Sequence, residues 1–291
     1  MGSDHHIRNP IEWGWDFLKQ ATSAIGSAGH TILGAEQDRR AAPPLVRRIA
    51  TGELRDVLAK GLGDFSAYRT DVIFYCLIYP VAGLVLARLA AGYDMLPLIF
   101  PLASGFALIG PVAAVGLYEM SRRREQGADI TWADAFGVVR APALGAILVL
   151  GLVLLVIFLI WLVVAYAIYD VTLGPEPPSS IVAFVHDVLT TNAGWALIGV
   201  GVGVGFLFAV LVLTISVVSF PLLLDRDVGV YTAVLTSYRA VRANPGPIAV
   251  WGLIVAICLV VGSIPFLLGL AIVMPVLGHA TWHLYRKVVQ R

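Results

Sequence analysis

His279 and His283 stand four residues apart near the end of the chain, which places both on one face of a helix. Two imidazoles so spaced could ligate a metal ion or a haem iron. Haem-copper chemistry needs further histidines on several spans. The other four, His5, His6, His30 and His186, lie near the N-terminus or in an acidic loop. Trp282 and Tyr285 beside the pair make this stretch read as an interfacial aromatic belt at the end of an apolar run. No cofactor or metal is therefore expected, and His279 and His283 are the candidates should there be one.

Other groups invite the same weighing. Glu119 and the run Asp225, Arg226, Asp227 stand where apolar stretches end. They could line an inner vestibule, or they are solvated helix ends with local ion pairs. Gly199, Gly201, Gly203 and Gly205 form two overlapping GxxxG pairs. That spacing lets helix backbones approach closely and favours internal packing or a dimer interface. It is no phosphate loop, because no strand-to-helix transition or partner lysine accompanies it. Cys76 and Cys258, inside apolar runs, read as small packing residues. No Ser-His-Asp pattern, P-loop, metal-hydrolase motif or carboxylate pair within a span stands out. The middles of the spans are apolar, which argues against an ion-coupled carrier.

The elements that must position these groups follow from composition. Of 291 residues, 58% are hydrophobic and 13% charged, with a net charge of +1. Soluble domains carry about 25% charged residues. The deficit, with apolar runs long enough to cross a bilayer, indicates an integral membrane protein. Near-zero net charge gives no reason to expect a nucleic-acid partner.

Residues 1–50 read as a cytoplasmic segment. They hold a short aromatic helix starting at Asn9, which lies in the headgroup region or docks on the protein itself, and a linker from Gly26 to Pro44. No signal peptide is expected. Residues 51–291 read as a polytopic membrane domain. Leu54, Val57, Leu58, Gly61, Leu62 and Phe65 mark an amphipathic surface helix, with Glu53, Arg55, Asp56, Lys60 and Asp64 assigned to its polar side. Apolar spans are expected at 72–89, 96–118, 143–169 and 194–224, then 248–261 and 266–285 either side of a turn at Gly262–Pro265. Further surface helices start at Thr131 and near Val230. Helix, span, turn and span thus occur three times, over 51–119, 131–224 and 229–286, a weak internal repeat. The fold expected is all-α: six transmembrane helices as three hairpins, each preceded by a cytoplasmic amphipathic helix.

Charge sets the orientation. Nine of the twenty Lys and Arg precede the first span, four lie between spans two and three, three between spans four and five, and three at the C-terminus. Only Arg88 falls on the other side. By the positive-inside rule both termini are cytoplasmic. A single kinked helix over 247–285 is the competing reading, and it would put the C-terminus outside.

The runs FYCLIYPVAGLVLARLAAGYD, GPVAAVGLYEMSRRREQG, SFPLLLDRDVG and PVLGHATWHLYRK resemble a bacterial family of predicted integral membrane proteins, domain of unknown function 2189. The resemblance extends from about Arg47 onward. It implies a multi-pass protein of the bacterial inner membrane, with no activity or site residues to carry over. Some members bear a cytochrome-oxidase-subunit label, and the hairpin pattern is more distantly similar to membrane anchors of glycerophosphodiester phosphodiesterases. The function expected is non-enzymatic: a scaffold or assembly factor whose partners are the lipid bilayer and another membrane protein or a second copy. The rivals are a transporter or channel-like protein for a small or lipophilic solute, and an accessory subunit of a respiratory complex.

Overall fold

The computed structural model describes residues 44–67, 81, 83–85, 88, 96–128, 137–138, 141–176, 178–265 and 267–290. Helices are numbered below among these residues. The expected helices at Asn9 and Thr131, the linker from Gly26 and most of the first span lie outside them. The only β pairing among the described residues is an isolated bridge between Val46 and Val289.

α1 (Glu53–Ala67) precedes a 3-10 turn (Leu96–Leu98), α2 (Ile99–Ala113) and α3 (Val115–Glu125). α2 and α3 are two arcs of one rod. The ladder continues through Ala114 N–H to Gly110 O at 2.9 Å, and the bend follows Pro111, which has no N–H to give.

α4 (Leu144–Thr172) is apolar on every side, yet one stripe is buried: Leu150, Leu154, Phe158, Trp161, Ala165 and Tyr169. Steps of three and four keep that stripe facing α2 and α6 (Asn192–Ser216), leaving the rest for lipid. Lipid tails are as apolar as Leu, so burial alone does not drive the pairing. Close fit and polar bonds do. The Trp161 indole N–H donates to Ser104 Oγ at 3.0 Å, and its ring packs on Phe208 with centroids 5.4 Å apart.

Between them, Ser180 caps α5 (Ile181–Thr190), a helix inside what the sequence presents as a loop. α6 stops at Ser216, and α7 (Ser219–Asp225) resumes after Val217 and Val218, where the sequence predicts one unbroken span over 194–224. Pro221 is the reason: it cannot donate back across the preceding turn. Ser237 of α8 (Val230–Ala243) fills the gap, accepting from Val218 N–H at 3.3 Å and donating to Thr214 O at 2.7 Å.

α9 (Pro245–Ser263) begins at the prolines read from sequence as a break. In the first helical turn a missing N–H costs nothing. The arm is therefore 19 residues rather than the 14 of 248–261, about 28 Å at about 1.5 Å per residue. Turns lie at 264–265 and 267–269, with Leu267 at φ +65°, and α10 (Leu270–Val288) follows. A Cβ on Gly269 would sit 2.6 Å from Gly262 O, so the connection admits no side chain there.

Three described stretches are long and apolar enough to cross a membrane by length and composition: α4, α6 with α7, and α9. α10 carries too many polar residues to join them.

The N-terminal approach to α1 is fastened to the far end of the chain. Arg47 N–H donates to Val288 O at 2.7 Å, and Gln290 N–H to Leu45 O at 3.0 Å. Buried Asn244 accepts from Ile49 N–H at 2.7 Å and donates to Arg47 O at 3.0 Å. α1 then lies along α10, with Gly61 so close to Ala280 that a Cβ would stand 2.6 Å from the Ala280 amide nitrogen.

Candidate functional site: a polar cap where four helices end

α1, α3, α7 and α10 converge, and their polar side chains meet there. At the centre is Asp64, only 5% exposed. Its spacing after Leu54, Val57 and Gly61 is three, four and three residues, so it belongs to the buried stripe and not to the polar side assigned from sequence. Ser121 Oγ donates to Asp64 Oδ2 at 2.6 Å, His283 Nε2 lies 2.8 Å from the same oxygen, and Arg124 donates to Oδ1 at 2.6 Å.

These bonds fix the protons. An ionised carboxylate only accepts, so His283 carries its hydrogen on Nε2. Ser121 has one hydrogen, given to Asp64. The 2.8 Å contact between Ser121 Oγ and His279 Nδ1 therefore has Nδ1–H donating. His279 Nε2 is fully buried and has no hydrogen-bond partner among the described residues. The order of groups differs from a nucleophilic triad, in which the imidazole stands between serine and carboxylate. Here the carboxylate touches the serine directly, and Ser121 is buried.

Burial pushes the Asp64 carboxyl up, but the hydrogen bonds from His283 and Ser121 outweigh it and hold the group below its ordinary 3.8. An open cleft of about 470 Å³ reaches this point, lined by Lys60, Gly63, Asp64, Ser121, Arg124, Glu125 and His283.

Ion pairs flank the centre. Asp225 Oδ2 accepts from Tyr285 OH at 2.6 Å and from Arg286 at 3.2 Å, and Arg286 Nε reaches Glu125 at 3.0 Å. Buried Glu119 is clamped by Arg122 and Arg123 at 2.8 and 2.7 Å. Lys287 bridges Asp56 at 2.9 Å and Glu53 at 3.4 Å, and Glu53 also pairs with Arg47. The hydrogen bond to Asp56 is the main cause that raises the Lys287 ammonium pKa.

The structure thus joins His279 and His283 to one network through Asp64 and Ser121. Both are buried, and within the chain they face Asp64 and Ser121. Glu119, Asp225 and Arg226 lie in neighbouring pairs, while Asp227 is exposed. None of these four lines the cleft. At Gly199, Gly201 and Gly203 an added Cβ would meet none of the described residues within 4 Å, whereas at Gly205 it would meet Trp161 at 3.1 Å. Within one chain the internal-packing role therefore falls to Gly205. No group of three or more His, Cys, Asp or Glu among the described residues is arranged to hold a metal ion.

Residues 99–225, from α2 to the end of α7, match a family described as predicted integral membrane protein (DUF2189), the one the sequence resembles. Neither a curated protein nor a solved structure matches the chain. Family match and apolar helices together make this an integral membrane protein.

Proposed function

We propose that the chain is a non-enzymatic inner-membrane protein that holds another membrane helix, from a second copy or a larger complex, against the open face of α6. The observation that carries this reading is where the buried ionisable groups go. Asp64, Glu119, His279 and His283 gather in the polar cap, where they bond to one another or to neighbouring side chains, His279 reaching Ser121 from the middle of α10. Such a network fastens helices and lines no path through the described spans. α6 supplies the contact surface, with Val200, Val202, Phe206 and Leu207 exposed around glycines that leave room for a backbone.

The six-span arrangement, with both termini cytoplasmic, is part of the proposal. Its support is that Arg286 of α10 pairs with both Glu125 at the end of α3 and Asp225 at the end of α7. The C-terminus then shares a side with those two exits, as a chain reversal between α9 and α10 requires. An alkaline phosphatase fused after Arg291 is expected to be inactive and a fluorescent protein there to be bright. Active phosphatase would mean an odd number of spans.

Mild-detergent purification from the native membrane tests the role. A stoichiometric membrane protein, or a second copy, is expected to co-purify. Gly201→Leu is expected to remove it while leaving the monomer's thermal midpoint unchanged, since none of the described residues lies near that Cβ. Gly205→Leu is expected to lower the midpoint itself, because Trp161 must move. A monomer that purifies alone, with Gly201→Leu behaving as wild type, rules the scaffold role out.

A further inference from the structure

α5 joins the ends of α4 and α6 away from the polar cap, separated from it by the 25 residues of α6, about 37 Å of helix. At about 100° per residue its side chains other than Ala183 divide into three faces. Phe184 and Val188 turn inward, with Phe184 edge-on to Tyr169 at 6.3 Å. His186, Asp187 and Thr190 form a polar face. Ile181, Val182, Val185 and Leu189 form a third, wholly apolar face, and Val182 is 79% exposed. A protein-facing side, a polar side and a bare apolar side on one short helix are what a water–lipid boundary requires.

Two independent features place the helix at that boundary. Exposed Tyr166 and Trp195 stand near the adjoining ends of α4 and α6, as aromatic side chains do at headgroup level, and exposed Val171 extends the apolar surface of α4 towards α5. Side chains also cap part of each helix end. Ser180 Oγ accepts from Ala183 N–H at 3.1 Å, Thr190 Oγ1 donates to His186 O at 2.7 Å, and Thr191 Oγ1 donates to Asp187 O at 2.7 Å. Backbone groups so capped tolerate a medium poor in water.

We propose that α5 is a membrane-surface helix whose Ile181, Val182, Val185 and Leu189 face is seated in the lipid interface beside α4 and α6. The segment from Asp170 to Asn192 contains no Lys or Arg. Insertion therefore rests on apolar burial, and zwitterionic lipid suffices.

The test uses the full chain with Cys76 and Cys258 replaced by Ala, reconstituted in phosphatidylcholine nanodiscs, which leave both faces accessible. Single cysteines at Val182 and at Asp187 carry an environment-sensitive fluorophore. The label at 182 is expected to be quenched by shallow nitroxide lipids and to have a several-fold lower iodide quenching constant than the label at 187, with no change in high salt. Equal iodide access at both sites overturns the proposal. A label at 182 that is shielded in native membranes but open to iodide in nanodiscs also overturns it, and assigns the face to a protein partner.

Discussion

Asp64→Ala is expected to release α1 from the membrane domain at a cost of about 3 kcal/mol, the low end for breaking a buried ion pair by removing one partner. The low end applies because Arg124, 39% exposed, can turn to water once its partner is gone. Ser121 and His283 are largely buried, and each loses its acceptor. Hydrogen exchange of the Glu53–Ala67 amides reads this directly: about 3 kcal/mol corresponds to roughly 100-fold faster exchange if α1 opens as a unit. Asp56→Ala is the control, since its pairs with Lys60 and Lys287 lie at the surface and its loss is expected to change little. Unchanged exchange in Asp64→Ala would mean that the apolar stripe and Gly61 alone hold α1.

The sign of the pH response follows from the same group. A carboxyl held below its unfolded value contributes stability that is fully present above that value and lost as pH falls through the folded one. With Asp64 below its ordinary 3.8, its contribution is constant from about pH 5 upward. The gap in exchange between wild type and Asp64→Ala is expected to narrow only in strong acid. A gap that is wide at about pH 5 and closes as pH rises towards about 7 would show that Asp64 is protonated in the docked state.

Much of the architecture is written in the pattern of residues. Steps of three and four mark α1, unbroken apolar runs mark α4, α6 and α9, and prolines mark the breaks. What the pattern hides is partnership. Asp64 sits on the stripe with Leu54, Val57 and Gly61, and a carboxylate there is assigned to water until Ser121 and His283, 57 and 219 residues away, are seen to receive it. The signal is its register, outweighed by its charge. α5 is hidden differently. Three prolines at 175, 177 and 178 make Asp170–Asn192 read as loop, yet all precede Ser180, which caps a helix the prolines do not enter. His279 and His283 are legible as a pair on one face, but a spacing cannot say whether that face meets a cofactor, lipid or an aspartate from another helix.

The closest contact between α1 and α10 supplies the sharpest test of how the cap is assembled. Gly61 meets Ala280 so nearly that an added Cβ would stand 2.6 Å from the Ala280 amide nitrogen and Cβ and 2.7 Å from its Cα. Backbone atoms in the middle of a helix cannot swing aside as the end of a flexible side chain would. Gly61→Ala must therefore push the two helices apart, costing about 1–3 kcal/mol of overpacking. That more than cancels the gain of up to about 1 kcal/mol in helix propensity from replacing glycine by alanine. Separation would also lengthen the Asp64–His283 bond, one turn along, so the loss is expected to exceed overpacking alone. Gly63, two residues on, has nothing within 4 Å, and Gly63→Ala is expected to keep the propensity gain and slow exchange of the α1 amides. Opposite signs from one chemical change, two residues apart on one helix, are the expected outcome. If both substitutions stabilise α1, then α1 and α10 are not in backbone contact, and the polar cap is held together by its side chains alone.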